Sequence, residues 1–167
     1  MKLFAILIGG DIKGGNLELH DVRFVAGNVI EDTFDQLRRD WWGRPASLHL
    51  DCWTELAEVD GYRVSLASEP GSSPEKLFFV HLGGYDGSFE EKHLNLFIVA
   101  ADKDEAKKKA LKQVSGWTDK HRDALLAVDS ALPVEASIAP LYIHLEPTGR
   151  EPAQPAITCQ YRVIGKA

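Results

Sequence analysis

The stretch that decides the fold is Lys2–Gly10, KLFAILIGG, because it returns as KLFFVHLGG at Lys76–Gly84. Each copy contains a continuous apolar run, at residues 3–8 and 77–82. Continuous apolar runs of this length are typical of β-strands that are covered on both faces. The Gly pair that ends each copy lets the chain turn without steric cost. The sequence therefore predicts one structural unit present twice, each copy beginning with a central strand.

A second strand follows in each unit, and it carries the same three residue types at the same spacing. The pattern is E-x-H-x-x-x-F, formed by Glu18, His20 and Phe24 in the first unit and by Glu91, His93 and Phe97 in the second. Because side chains alternate between the two faces of a strand, residues at these spacings share a face. Each unit is therefore expected to present a Glu and a His side by side.

A helix is predicted after the second strand in both units. Asn28-x-x-Glu31 and Asp102-x-x-Glu105 have the spacing of a capping box, in which an N-cap side chain and an acidic side chain satisfy the first helical N–H groups. Apolar residues at helical spacing follow each motif. The helices are expected to end near Gly43 and Gly116, since Gly is common just after a helix.

A third strand is predicted after each helix, again with a recurring polar pair. His49-x-Asp51 in the first unit returns as His121-x-Asp123 in the second, and the two members of each pair share a strand face. In the first unit Asp60-Gly61 predicts a tight hairpin turn before a fourth strand at residues 62–67. The second unit has a longer, Pro-containing connection at this point.

The predicted fold class is α+β, with two tandem ββαββ repeats packed around a pseudo-two-fold axis. The mainly antiparallel sheet has its helices on one face. The predicted divisions are repeat 1 at residues 1–70, a linker at 71–75, repeat 2 at 76–147, and a Pro-rich loop with a C-terminal strand at 148–167, which adds to a sheet edge. Each repeat is too short to bury much core alone, so the two are expected to pack together.

Charge and cysteine content limit the classes of partner. The chain has 19 Lys and Arg against 25 Asp and Glu, a net charge of −6, so a nucleic-acid partner is not expected. No apolar run approaches the length of a membrane span, and the apolar N-terminal run is too short for a signal peptide. Cys52 and Cys159 match neither a CxxC nor a zinc-ligand spacing. We therefore expect two buried thiols in a cytoplasmic protein.

The sequence also resembles a known family. KLFxxxxGG, ELHDVRFV with the helix after it, and HLDCW followed by EVDGYRV are similar to domain of unknown function 1543, an uncharacterised bacterial family with one or two copies per chain. The resemblance implies a two-copy member. It implies no activity, substrate or catalytic residue. The second copy departs from the pattern, because His81 stands where the first has Leu7 and EVDGYRV does not recur.

The recurring polar residues are the candidate binding site. They are Glu18, His20, His49, Asp51, Glu91, His93, His121 and Asp123. If the second and third strands are neighbours, imidazoles and carboxylates come together in each unit and could hold a divalent zinc, iron or manganese ion. The candidate metal ligands are His20, His49, Asp51, His93, His121 and Asp123. The same groups could do general acid–base chemistry, or could form a purely structural hydrogen-bond network.

Two functions from different classes fit the sequence. The favoured hypothesis is a non-catalytic cytoplasmic module that binds a small molecule or a protein in a cleft between the repeats. The alternative is a metal-dependent enzyme that uses the E-x-H and H-x-D motifs. His81 and His144 make the second unit richer in histidine, so a single metal site would be expected there. The sequence determines neither the cofactor, the ligand nor the oligomeric state.

Overall fold

A computed structural model of the chain describes residues 1–85, 88–113 and 127–166 and consists mainly of antiparallel strands. The strands are β1 (Lys2–Gly10), β2 (Leu19–Gly27), β3 (His49–Glu55), β4 (Glu58–Val59), β5 (Tyr62–Ala67), β6 (Lys76–Gly84), β7 (Lys92–Ala100), β8 (Ala127–Pro133), β9 (Tyr142–Pro147) and β10 (Thr158–Val163). The helices are α1 (Phe34–Asp40) and α2 (Lys103–Gln113), and short 3₁₀ helices lie at Ile30–Thr33, Pro45–Ser47 and Val134–Ser137. The predicted α+β class is confirmed.

The strands form three sheets. The first has the order β10-β3-β1-β2, the second β4-β5-β9 and the third β7-β6-β8. In the second sheet, β5 and β9 pair along six residues although they lie in different predicted repeats. The C-terminal strand β10 lies at the edge of the first sheet, as predicted. The tandem ββαββ arrangement with two-fold symmetry stays a prediction.

Three apolar cores hold the sheets together. The central core takes Leu3 and Ala5 from β1 and Leu77 and Phe79 from β6, together with residues of β5 and β9. Strands β1 and β6 also bury their opposite faces, each in a separate outer core. Both are therefore covered on two sides, as their continuous apolar sequence predicted. The central core joins the halves of the chain, because all three sheets contribute side chains to it.

Each outer core is closed by a helix. Leu37 of α1 and Trp41 just after it pack on the outer face of the first sheet. Ala106 and Ala110 of α2 pack on the outer face of the third. Full burial of one Leu-sized side chain stabilises a fold by about 1.5–3 kcal/mol. The small alanines allow α2 to approach its sheet closely and still exclude water.

The first predicted capping motif is wrong in detail. Asp32 Oδ2, not a Glu31 oxygen, accepts from the backbone N–H groups of Asn28 and Val29. The segment begins as a 3₁₀ helix rather than an α-helix, with Val29 rather than Asn28 as its N-cap, so the N3 carboxylate is that of Asp32. Glu31 instead accepts a hydrogen bond from Arg162 of β10. The α-helix itself starts later than predicted, at Phe34.

The second predicted helix start is confirmed. Asp102 Oδ1 accepts from the Glu105 N–H at 2.9 Å. Glu105 Oε2 accepts from the Ala101 N–H, also at 2.9 Å. The two carboxylates thus satisfy N–H groups that have no partner within the helix.

The predicted Asp60-Gly61 turn is confirmed as the connection between β4 and β5. Asp60 has φ 51° and Gly61 has φ 82°, and consecutive positive φ angles are typical of the tightest hairpin turn. Asp60 Oδ2 also accepts from the Val99 N–H on the edge of the third sheet. The hairpin therefore contacts the other half of the chain.

The two cysteines are disulfide-bonded, which corrects the prediction of two buried thiols. Cys52 of β3 lies directly opposite Cys159 of β10 in the antiparallel pair, with a Cα–Cα distance of 4.0 Å. Residues so placed on adjacent strands bring their sulfur atoms together. The separation of 107 residues hides this proximity from the sequence.

Some predicted features lie outside the described residues: His121, Asp123 and the expected helix end at Gly116. In the part of the chain that is described, no helix combines the length and the apolar character needed to cross a membrane.

Candidate metal centre

Four of the predicted site residues meet over the end of β1. Gly9 pairs with His20 of β2 on one side and with His49 of β3 on the other. The second and third strands, whose direct pairing would bring these groups together, are not neighbours, because β1 lies between them. The two histidines therefore face each other across a strand.

Gly9 is what allows the two imidazole rings to meet. Strands two positions apart in a sheet are separated by roughly 9–10 Å, yet the His20 and His49 ring centroids are only 6.2 Å apart. A Cβ on Gly9 would lie 2.7 Å from His49 Nε2 and 2.8 Å from His20 Cδ2. The rings thus occupy the space that any other side chain at position 9 would fill.

Two carboxylates complete the cluster. His20 Nε2 lies 3.4 Å from Glu18 Oε1 and 3.2 Å from Asp51 Oδ2. His49 Nε2 lies 3.6 Å from Glu18 Oε2 and also 3.6 Å from Asp51 Oδ1. Charge-assisted N–H···O hydrogen bonds are shorter, at about 2.7–2.9 Å. Each imidazole Nε2 is therefore near both carboxylates but closely bonded to neither.

The separations between imidazole and carboxylate atoms, which involve both oxygens of each carboxylate, are of the size found between two ligands of one ion. Zinc binds nitrogen and oxygen ligands at about 2.0–2.2 Å. Four atoms at that distance around one ion are about 3.3–3.6 Å from each other. Candidate ligand atoms of Glu18, His20 and His49 all lie within 4.8 Å of one another. The arrangement is the one expected of groups that share an ion.

His49 is held with one nitrogen pointing to the cluster. Its Nδ1 donates to the Ser47 carbonyl oxygen at 2.9 Å, and a carbonyl can only accept, so Nε2 of the neutral ring carries a free lone pair. The His49 side chain is only 4% exposed. Its Nε2 has no hydrogen-bond partner among the described residues. Buried polar atoms are nearly always paired, so this nitrogen is oriented toward a partner that the described residues do not supply.

Asp51 reaches the cluster because β3 contains a bulge. Leu50 pairs with Ile8 and Cys52 pairs with Leu7, which leaves Asp51 as an extra residue with no partner on β1. A bulge bends its strand and redirects a side chain. Asp51 Oδ2 is buried and has no hydrogen-bond partner among the described residues. His20 Nε2 is 3.2 Å away but does not form a hydrogen bond with it.

The cluster is closed on one side and open on the other. Tyr161 of β10 lies over His49, with 4.7 Å between ring centroids. The side chains of Glu18 and His20 are 46% and 43% exposed. Water or a small molecule can therefore approach from the side of these two residues. A structural zinc site is normally enclosed, whereas a catalytic site keeps a coordination position open.

Comparison with known proteins gives the family. The family described as Domain of Unknown Function (DUF1543) matches residues 15–66. The crystal structure of the protein Il1583 from Idiomarina loihiensis is 32% identical to this chain, covers 99% of both chains and superposes with a TM-score of 0.74. The chain belongs to the DUF1543 family. The resemblance seen in the sequence is thereby confirmed, whereas the two-copy form stays a prediction. No curated protein matches the chain.

The DUF1543 match and the cluster fall on the same segment. Glu18, His20, His49 and Asp51 all lie within residues 15–66, whereas Gly9 precedes the matched segment. Gly9, Ser47 and Tyr161 were not among the predicted site residues. Gly9 had been assigned to a turn, but it lies within β1. A glycine inside a strand often marks a close approach of other groups, and this signal could have identified it.

The second half of the DUF1543 chain differs at the equivalent place. His93 pairs with Gly83 as His20 does with Gly9, but the residue opposite Gly83 on β8 is Ala127. His93 stacks on His81 with ring centroids 4.6 Å apart, and its Nε2 is 3.6 Å from Glu91 Oε2. Among the described residues, the group that could hold a metal lies in the first half. The sequence had favoured the second half.

Proposed function

We propose that this DUF1543 protein binds one divalent transition-metal ion, zinc, iron or manganese, through Glu18, His20, His49 and Asp51. Two imidazole nitrogens with carboxylate oxygens form a ligand set that suits these ions. We further propose that the site is catalytic, as in the metal-dependent enzyme considered from the sequence. The favoured hypothesis there, a non-catalytic module, receives less support from this cluster.

The observation that carries the proposal is the orphaned Nε2 of His49. It is buried, lacks a hydrogen bond within the described structure and faces two carboxylates at 3.6 Å. A purely structural network would be expected to place an N–H or O–H group at hydrogen-bond distance from this nitrogen. An ion in the cluster would give the nitrogen a partner and would also neutralise the two neighbouring carboxylates.

The exposed side of the cluster supports a catalytic rather than a structural ion. An ion with an open position lowers the pKa of a bound water and polarises substrate oxygens. Glu18 is the more exposed of the two carboxylates, at 46% against 22% for Asp51. We therefore assign Asp51 and the histidines to holding the ion. Glu18 would be the fourth and most exposed ligand, and by leaving the ion it would open a coordination position and could accept a proton from the substrate.

Elemental analysis of tag-free protein tests the proposal. We expect one zinc, iron or manganese ion per chain, removed by a chelator together with part of the thermal stability. An ion at one hundred times its Kd stabilises the folded state by about 2.7 kcal/mol. Substitution His49→Ala should abolish the metal content. His144→Ala is the matched control, because His144 lies in β9 and bonds to the Glu69 carbonyl oxygen instead.

A metal-free protein whose Tm does not change on addition of zinc, manganese or iron would contradict the proposal. The four residues would then be structural. A metal-loaded protein whose His49→Ala variant keeps its metal would place the ion elsewhere. Hydrolysis of p-nitrophenyl acetate or phosphate that requires the metal and disappears in His49→Ala would support the catalytic role over the non-catalytic module.

We also propose that the chain arose by internal duplication, with repeats at 1–70 and 76–147. The support is that β1 and β6 have the same pattern of buried residues along nine positions. Each also pairs along its full length with the strand that follows it. The cytoplasmic location expected from the sequence stays a proposal, although the Cys52–Cys159 disulfide of the structure counts against it, and thiol trapping in intact cells tests it. A trapped Cys52–Cys159 disulfide would count against it, since disulfides are rare in reducing compartments.

A further inference from the structure

A second concave feature lies away from the metal cluster. It is a cavity of about 500 Å³, lined by residues drawn from 70–77 on one side and 133–145 on the other. Cavities of about 300–1,000 Å³ are typical of small-molecule sites. None of the four proposed metal ligands lines it. The cavity therefore offers a binding place that is independent of the metal site.

Most of the cavity wall is apolar. Leu77, Ile143 and Leu145 contribute side chains that also belong to the central core. Pro70 and Pro140 add ring surfaces from the two connecting segments. An apolar wall of this kind binds the hydrocarbon part of a ligand, because burial removes that surface from water.

Two glutamates, Glu75 and Glu135, also line the cavity, and they differ in whether a carboxylate oxygen has a hydrogen-bond partner. Glu135 Oε2 accepts from the Ile143 N–H at 2.7 Å, so this oxygen has its partner. Glu75 Oε2 is buried and has no hydrogen-bond partner among the described residues. An unpaired buried carboxylate oxygen is costly for a fold, more so than a neutral group. The described residues therefore supply no hydrogen-bond donor to this Glu75 oxygen.

We propose that this cavity binds a small organic ammonium ion, an apolar body that carries one protonated amine. The amine donates to the Glu75 carboxylate, and the hydrocarbon part packs on the apolar wall. The cavity is lined by two glutamates against one lysine, Lys76, and only Glu75 has a buried oxygen without a partner among the described residues. The ligand is therefore expected to carry positive charge, and charge-assisted hydrogen bonds are about twice as strong as neutral ones. The ligand of this site differs in class from a metal ion, and its binding requires no metal.

The test compares three six-carbon probes by NMR titration of the full-length, chelator-treated protein: n-hexylammonium, 1-hexanol and hexanoate. We expect hexylammonium to shift the amide resonances of cavity residues to saturation. Hexanol should bind at least tenfold more weakly, and hexanoate should not bind. Equal affinity for the alcohol and the amine, or binding of the carboxylate, would overturn the proposal. So would hexylammonium shifts that map outside the cavity.

Matched variants identify the carboxylate. Glu75→Gln keeps the shape but removes the charge, and we expect it to weaken hexylammonium binding about tenfold. Glu69→Gln is the control, because Glu69 is exposed and precedes the cavity segment by one residue; its affinity should stay within twofold of the parent. If Glu75→Gln does not fold, Glu75→Asp, which shortens the side chain, should weaken the same probe. Unchanged affinity in the folded variant would contradict the proposal.

Discussion

At the scale of single residues, the candidate centre depends most on a residue that is not a ligand. Gly9 lets His20 and His49 approach across an intervening strand, because their ring atoms lie where a Cβ would be. The ligands themselves come from two different strands and from the loop before β2. A change at position 9 would therefore act on both imidazoles at once.

Substitution Gly9→Ala should lower metal affinity at least tenfold and leave the fold intact. The added carbon would lie within 3.0 Å of ring atoms on both histidines, so both rings must move from the positions in which they face the two carboxylates. Competition with a chromophoric chelator measures the affinity, and circular dichroism verifies the fold. Gly71→Ala is the control, since its added carbon would meet His144 at 3.2 Å, far along the chain from the cluster.

The sequence predicted the members of the cluster but not the way they meet. Repetition of E-x-H and H-x-D identified Glu18, His20, His49 and Asp51. Their meeting depends on sheet order and register, in which Gly9 is opposite both histidines. Asp51 also requires a bulge. These are pairings between distant segments, and side-chain alternation within one strand contains no information about them.

At the scale of elements, polar side chains cover the outer edge of β7. Gln154 bonds to both the N–H and the carbonyl oxygen of Phe97, at 2.8 and 2.9 Å. Asp60 accepts from the Val99 N–H, and Lys109 donates to the Val99 carbonyl oxygen. An open sheet edge invites pairing with other chains, and this cover satisfies two residues of it. The Asp60-Gly61 hairpin and the C-terminal segment are thereby tied to the second half.

Asp60 should make stability fall as pH rises. Burial raises the pKa of its carboxyl, against the opposing effects of the Val99 N–H and of Lys109. Because the folded-state pKa lies above the unfolded one, the favourable contribution is complete below the unfolded value and is lost as pH rises through the folded value. Asp60→Asn keeps an acceptor oxygen and tolerates the positive φ. Its Tm should exceed the parent value at pH 7 and approach it at pH 3–4.

Glu105 provides a control of opposite sign for this pH profile. The Ala101 N–H, and the charge of Lys109 next, hold the pKa of its carboxyl below the usual range. Its contribution is therefore present above the unfolded pKa and is lost as pH falls. Glu105→Gln should lower Tm at pH 7 and converge with the parent in acid. Parallel profiles for the parent and Asp60→Asn would contradict the assignment of Asp60.

The two helix starts show where local sequence is enough to predict the capping contacts and where it is not. Asp102 and Glu105 form the predicted cap, because all of its partners lie within four residues. At the first helix, Asp32 replaces the predicted pair, and Glu31 turns instead to Arg162 of β10. The cap begins one residue later than predicted, at Val29, and Glu31 binds a residue 131 positions away. Local pattern predicted that a helix begins there, but neither the exact cap nor the distant partner of Glu31.

At the scale of the whole molecule, the halves share one core and one small sheet. All three sheets bury residues in the central core, and β5 pairs with β9. The apolar runs at residues 3–8 and 77–82 predicted the two central strands and hence most of this core. The pairing of β5 with β9 could not be predicted, because strand propensity identifies a strand but not its neighbour.

The cross-link between Cys52 and Cys159 makes most of the chain a covalent ring. The ring includes all of β6 and β7, whereas every proposed metal ligand precedes residue 52 and lies on the tail outside it. Closing a ring of about 100 residues is expected to remove about 4.7 kcal/mol of unfolded-state entropy. Cutting the backbone once inside such a ring opens it without dividing the molecule.

A specific protease site inserted between Ser72 and Ser73 tests whether the disulfide closes this ring, and the site can be cut because Ser72 is exposed. After cleavage we expect one species under denaturing, non-reducing electrophoresis and two fragments once a reductant is added. In Cys52→Ser the fragments should separate without reductant, and the same behaviour in the parent would mean free thiols. A nicked chain would thus keep the segment with the proposed metal ligands covalently attached to the second half even when unfolded, and a reductant would remove that attachment.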